Sequence, residues 1–92
     1  MKPSNKTEVV KKEKTIVKYG PYKGKVNLIT YEMGFSRERN MAGRIYNRGI
    51  LFRNTKFPSG KKASSLLSDN ITGYTKKEVI TKAKQMIKNN KW

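Results

Sequence analysis

Two early stretches of the chain alternate β-branched or aromatic residues with polar ones, and a turn separates them. Thr15-Ile16-Val17-Lys18-Tyr19 has the composition of a strand, and Gly20-Pro21-Tyr22-Lys23-Gly24 supplies the residues that turn a chain. The alternation is clearest from Lys25 to Met33. Val26, Leu28 and Thr30 fall on one face there, and Asn27, Ile29, Tyr31 and Met33 on the other. Together the two stretches predict a hairpin. Gly34 to Ala42 has no sustained period and reads as a polar loop with room for one helical turn. Gly43 to Thr55 reads as extended, with Ile45, Ile50, Leu51 and Phe52 as its apolar members and Phe52 expected in the core. Asn47-Arg48-Gly49 is read as a turn between two short strands, the alternative being one strand bulged at Gly49. Phe57 to Lys62 reads as a turn and Ala63 to Leu67 as a short edge strand.

The period then changes from two to 3.6. Val79, Ile80, Ala83, Met86 and Ile87 share one helical face, and Lys77, Thr81, Lys84 and Lys88 lie opposite. Thr75-Lys76-Lys77-Glu78 fits a capping box with Thr75 as N-cap, and Tyr74 with Val79 fits a hydrophobic staple. The expected fold is α+β: a small twisted antiparallel sheet of three to four strands packed by one C-terminal α-helix. Residues 1–14 are charged, contain a proline and hold only Val9-Val10 as an apolar pair. They are expected to form a disordered basic tail, followed by a single small domain over 15–92.

Charge changes this picture more than any other property. Twenty-two Lys and Arg face six Asp and Glu in 92 residues, a formal charge of +16. The excess is +3 over residues 1–14, +8 over 15–74 and +5 over 75–92, so the folded part is itself basic. Self-repulsion of this size opposes compaction, and an anionic partner relieves it. Apolar residues make up 35% of the chain, which allows only a small core. The absence of Cys and His removes disulfides, the usual zinc-ligand sets and most acid–base designs. No acidic pair has metal-site spacing, and no phosphate-binding loop or serine elbow is present. Neither an enzyme nor a cofactor is expected. No apolar run is long enough to span a bilayer, and Met1 to Lys6 lacks the apolar stretch of a signal peptide, so a cytoplasmic location without a membrane partner is expected.

Lysine outnumbers arginine 17 to 5, yet all five arginines fall within seventeen residues: Arg37, Arg39, Arg44, Arg48 and Arg53. Guanidinium pairs bidentately with phosphate and stacks on bases, so this segment is the first candidate site. Its candidate residues are Arg37, Arg39, Arg44 and Arg48, with Tyr46 as an aromatic face for an exposed base. The second candidate is the helix start, where Lys76 and Lys77 stand among free backbone N–H groups. Cations there are mildly unfavourable for the helix, which points to a role beyond stability.

The segment Gly73-Tyr74-Thr75-Lys76-Lys77-Glu78-Val79, with Ala83, resembles the opening of the last helix in double-stranded-RNA-binding domains. In that family the lysines touch phosphates across a groove, so the resemblance implies that role for Lys76 and Lys77. It covers about eleven of the 92 residues; the family's third lysine is Ile80 here, and its first helix has no counterpart. A strand-strand-strand-helix order is also similar to plant AP2 DNA-binding domains, without their diagnostic motifs. The expected function is recognition of nucleic acid, RNA ahead of DNA, through phosphate backbone and shape. In overall style the small, Cys-free, Lys- and Asn-rich chain also resembles accessory proteins of large lytic bacteriophages. The alternative function is therefore an inhibitor that binds a host enzyme, toxin or defence protein, acidic or carrying RNA, in the host cytoplasm. A homodimer is compatible with the sequence.

Overall fold

The alternation of apolar and polar residues produces long strands, since period two places every second side chain on the side that a helix can cover. The structure, a computed structural model, describes residues 7–92. Four strands, β1 (Glu8–Ile16), β2 (Val26–Arg39), β3 (Ile45–Lys56) and β4 (Lys62–Gly73), precede one helix, α1 (Lys76–Asn89). The strands form one antiparallel sheet in the order β1-β2-β3-β4, each paired with its neighbour in sequence. The fold is α+β, as the pattern of the chain predicts.

Several elements run further than the sequence indicates. Residues 8–14, expected in a disordered tail, belong to β1, which pairs with β2 from Glu8↔Met33 to Ile16↔Val26. Residues 1–6 of that tail lie outside the described residues. The reason for the extension is tertiary: the backbone of these polar residues pairs with β2, and Val10 packs against the core. The strand expected over 15–19 ends at Ile16, and Val17 to Lys25 form the connection to β2. Residues 34–39, read as a loop, continue β2 because each pairs with β3 as far as Arg39↔Ile45. Asn47-Arg48-Gly49 lies inside one continuous strand, not a turn, with register shifts toward β4 between Gly49 and Phe52. The single-strand alternative therefore holds, but the irregularity is not at Gly49: β3 stays in register with β2, and the extra residues lie in β4 between Ile71 and Leu66. The edge strand β4 extends to Gly73.

A core of seven buried side chains occupies one face of the sheet. Tyr31 and Met33 come from β2, Leu51 from β3 and Ile71 from β4; Val79, Ala83 and Ile87 come from α1. The three helical members recur every fourth residue, a single stripe. Thr75 caps the helix by accepting a hydrogen bond from the Glu78 N–H at 3.1 Å. The reciprocal half of the expected capping box is not made: the Glu78 carboxylate faces Lys82, 4.0 Å away. At the other end Asn90 adopts the left-handed conformation (φ 54°, ψ 41°), and its N–H donates to the carbonyl of Ile87 at 3.2 Å.

Close approach of helix and sheet requires Gly49. A Cβ there would lie 2.5 Å from Val79 Cγ1 and 2.6 Å from Met33 Cε. At fourteen residues α1 is about 21 Å long, whereas β2 with the same number spans roughly 46 Å. One helix therefore covers about half of one face, and among the described residues the opposite face carries no second layer. Phe52 lies on that uncovered face and outside the core, contrary to expectation. It pairs with Glu32, one residue out of phase with the buried Leu51↔Met33 pair.

Two outcomes follow for stability. Deleting residues 1–14 removes β1 and the packing of Val10, and should cost about 2 kcal/mol, or roughly 8–16 °C in thermal midpoint. An unchanged midpoint would show that β1 adds nothing to the sheet. Gly49→Ala should destabilise by about 1–3 kcal/mol through overpacking against β-branched Val79. A chemical-denaturation midpoint equal to that of the parent would contradict the close approach.

Candidate nucleic-acid interface

The β2–β3 hairpin carries the arginine segment beyond the point where α1 begins. Its tip is a tight turn in which the Asn40 N–H donates to Arg44 O and the Gly43 N–H to Asn40 O, both at 2.9 Å. Gly43 has φ +82°, a conformation glycine adopts without strain. Arg44 is thereby the one arginine in a loop. Arg37 and Arg39 are strand residues of β2, and Arg48 and Arg53 of β3.

Strand alternation divides the candidates between two faces. Arg37 and Arg39 are exposed and in phase with Met33, so they stand on the helix side of the sheet, past the helix start. Arg37 pairs with Asn47, whose side-chain amide donates to the carbonyl of Tyr74 at 3.1 Å and so ties the hairpin to the chain entering α1. Arg39 Nη1 donates to Gly43 O at 3.3 Å. The guanidinium of Arg44 lies over the half-exposed ring of Tyr74, 3.8 Å from its centroid. Lys77 is exposed in the first turn of α1. These cations and Tyr74 occupy one end of the molecule.

The remaining candidates are otherwise engaged. Lys76 forms an ion pair with Glu8 of β1, and its ammonium lies 4.8 Å from the centroid of Phe35. It links the helix start to the first strand. Arg48 and Tyr46 face the uncovered side, paired across the sheet with Ser36 and Glu38. Arg48 donates through Nη1 to Glu38 Oε2 at 3.1 Å and through Nε to the carbonyl of Asp69 at 2.7 Å. The hydrogen bond to Glu38, and then the charge of Glu38, raise the affinity of this guanidinium for its proton. Arg48 thus fastens β2 and β4 to β3, whereas Arg37 and Arg39 stay exposed.

A cleft of about 370 Å³ opens at the β4 edge between these groups, walled by Tyr46, Thr72, Tyr74, Glu78 and Lys82. Lys82 donates to Thr72 O at 2.7 Å and closes one side. Sequence reasoning missed two features. The stacking of Arg44 on Tyr74 joins residues thirty positions apart and leaves no local signal. The lysines of the uncovered face, Lys12, Lys14, Lys56 and Lys62, become visible only once register is known; the alternation of Tyr46, Arg48, Ile50 and Phe52 was the available hint. Among the described residues no three His, Cys, Asp or Glu side chains gather as a metal site would need, and no helix is long and apolar enough to cross a membrane. No protein family, curated protein or solved structure matches the chain.

The two classes of arginine should separate in nitrogen-15 NMR spectra at neutral pH. The Nε–H of Arg48, held by Asp69 O, should exchange slowly with water and shift away from the random-coil position, while those of Arg37 and Arg39 exchange fast. Three equivalent resonances would show that Arg48 is not anchored.

Proposed function

We propose that this protein binds nucleic acid, RNA in preference to DNA, through phosphate backbone and shape, and that it performs no catalysis. The observation that carries this reading is where the exposed arginines gather. Four of the six carboxylates, Glu8, Glu13, Glu38 and Glu78, are already paired with a lysine or arginine. The exposed cations Arg37, Arg39, Arg44 and Lys77 gather at the end of the sheet where the helix starts, with the Tyr74 ring among them. A planar guanidinium spans two phosphate oxygens, and a fixed strand backbone holds Arg37 and Arg39 two residues apart, about 6.6 Å along the chain. Such contacts fix position on a strand without reading its sequence. The preference for RNA rests on the likeness of the helix start to an RNA-binding module and on exposed tyrosine faces that suit unstacked bases.

A second reading draws on the uncovered sheet face, where Leu28 is 41% and Leu66 57% exposed. An apolar surface fringed by lysines also suits an acidic protein, as in a phage accessory protein that disables a host enzyme. Capture of one host protein that survives nuclease treatment, with no RNA bound by the purified chain, would favour this second reading.

Salt titration of RNA binding tests the proposal. With roughly 4–6 phosphates neutralised, log Kobs against log salt for a single strand should have a slope between about −2.8 and −4.2. Replacing Arg37, Arg39 and Lys77 together by Gln should flatten that slope by about 2, while the same change at Lys84, Lys88 and Lys91 leaves it nearly unaltered. A wild-type slope near zero, or equal losses from two folded variants, would defeat the assignment of this end of the molecule.

A further inference from the structure

The sheet face opposite α1 has an order that the arginine end does not explain. Cross-strand pairing places Lys14, Leu28, Lys56 and Lys62 in one row across all four strands. Two residues along each strand, Lys12, Thr30, Asn54 and Ser64 form the next row, and Val9, Glu32, Phe52 and Leu66 the one after. Successive rows are about 6.6 Å apart. Within about 13 Å the face passes from three lysines around Leu28, through Thr30, Asn54 and Ser64 beside Lys12, to Val9, Phe52 and Leu66 around Glu32. A groove of about 390 Å³ runs over the first two rows and reaches Glu32. In it the Ser64 hydroxyl donates to Asn54 Oδ1 at 2.6 Å, and the Asn54 amide donates to the Glu32 carboxylate.

The lysine row opposes folding. Lys56 and Lys62 are directly opposed across the β3–β4 pair, and among the described residues neither they nor Lys14 has a carboxylate partner. Like charges so placed repel, and an anion laid across them removes the repulsion. Exposure of apolar side chains in the third row, Val9 at 49% and Leu66 at 57%, likewise has no internal explanation. A second copy of the chain would bring another +16 against the same face, which argues against self-association. We propose that this face is a platform for an unpaired stretch of RNA: Phe52 stacks a base, the Thr30–Asn54–Ser64 row meets base edges or ribose hydroxyls, and Lys14, Lys56 and Lys62 hold phosphates. A duplex cannot use it, because its bases are closed to an aromatic platform until they unstack. The inference rests on the nucleic-acid reading above and adds the class of ligand and a second surface.

Fluorescence anisotropy with a labelled oligouridine strand and a labelled RNA duplex of equal length tests it on the full chain. The wild type should prefer the single strand. Phe52→Ser should weaken that binding about tenfold and leave duplex binding roughly unchanged. Lys56→Glu with Lys62→Glu, both at exposed positions, should weaken the single strand at least as much, and decides the matter if Phe52→Ser fails to fold. Single-strand affinity equal to wild type in these variants, with the Arg37, Arg39 and Lys77 variant still impaired, would overturn the platform and leave the nucleic-acid reading standing. Wild-type preference for the duplex would overturn the platform in the same way. A concentration-dependent dimer in sedimentation, abolished by Lys56→Glu with Lys62→Glu, would also overturn it, because a second copy would then cover the face. Absence of binding to either RNA by the wild type would bring down the nucleic-acid reading itself, and the platform with it.

Discussion

The contact of Val79 with the sheet at Gly49 is the constraint on which the rest of the structure depends. Nothing larger than glycine fits between the helix and Met33 at that point, and the close approach closes the core over Leu51 and Ile71. Helix docking also sets the ends of the molecule. It brings Lys76 within reach of Glu8, so the first strand is tied to the last element, and it orients the chain through Tyr74 against the hairpin that carries Arg37 and Arg39. Among the described residues one short helix is the whole second layer. What it leaves bare follows from its length: half of one face, and all of the other.

Charge is distributed around that core so that, among the described residues, some cations are engaged in ion pairs and others are not. The carboxylates are few, and most sit beside particular cations: Glu38 holds Arg48, Glu8 holds Lys76, and Glu78 faces Lys82. Each of these pairs joins two parts of the sheet or steadies the helix start. Surface pairs of this kind contribute little individually, so their main consequence is positional. Among the cations without a carboxylate partner, Arg37, Arg39, Arg44 and Lys77 lie at the projecting hairpin end and Lys14, Lys56 and Lys62 in the row on the bare face, while others are spread along α1 and the connections. A fold with so small a core tolerates this repulsion only to a limited degree, which is why an anionic ligand would stabilise it as well as bind it.

Two candidate surfaces therefore coexist on opposite faces of one sheet. The arginine end presents planar guanidinium groups on rigid backbone, suited to phosphate oxygens. The bare face presents rows in which lysines, hydrogen-bonding groups and an aromatic ring succeed one another. A single strand of RNA is flexible enough to engage both, since only the sheet edge separates them and the Tyr46–Tyr74 cleft lies there.

The helix was legible in the sequence because its signals are local: the 3.6-residue period of Val79, Ala83 and Ile87, the Thr75 cap and the residues flanking it. The two faces of β2 were legible for the same reason, as Ile29, Tyr31 and Met33 alternate with Leu28, Thr30 and Glu32, but which face is the core was not. The excess of positive charge was also legible, since it depends on composition alone. Strand lengths were not legible, because residues such as Lys11, Lys12 and Arg37 become β-structure by pairing with distant backbone, whatever their own propensity. Nor was the fate of Phe52, since a side chain's face depends on register, and a shift of one residue exchanges core for solvent. The bulge at Val10 shows how far this reaches. It inserts one residue between Val9 and Lys11, turns Val10 to the core and thereby places Lys12 and Lys14 on the bare face. Composition and local period thus determined that the protein is a basic sheet closed by one helix. Which cations stand together, and on which side, was decided only by the pairing of strands far apart in sequence.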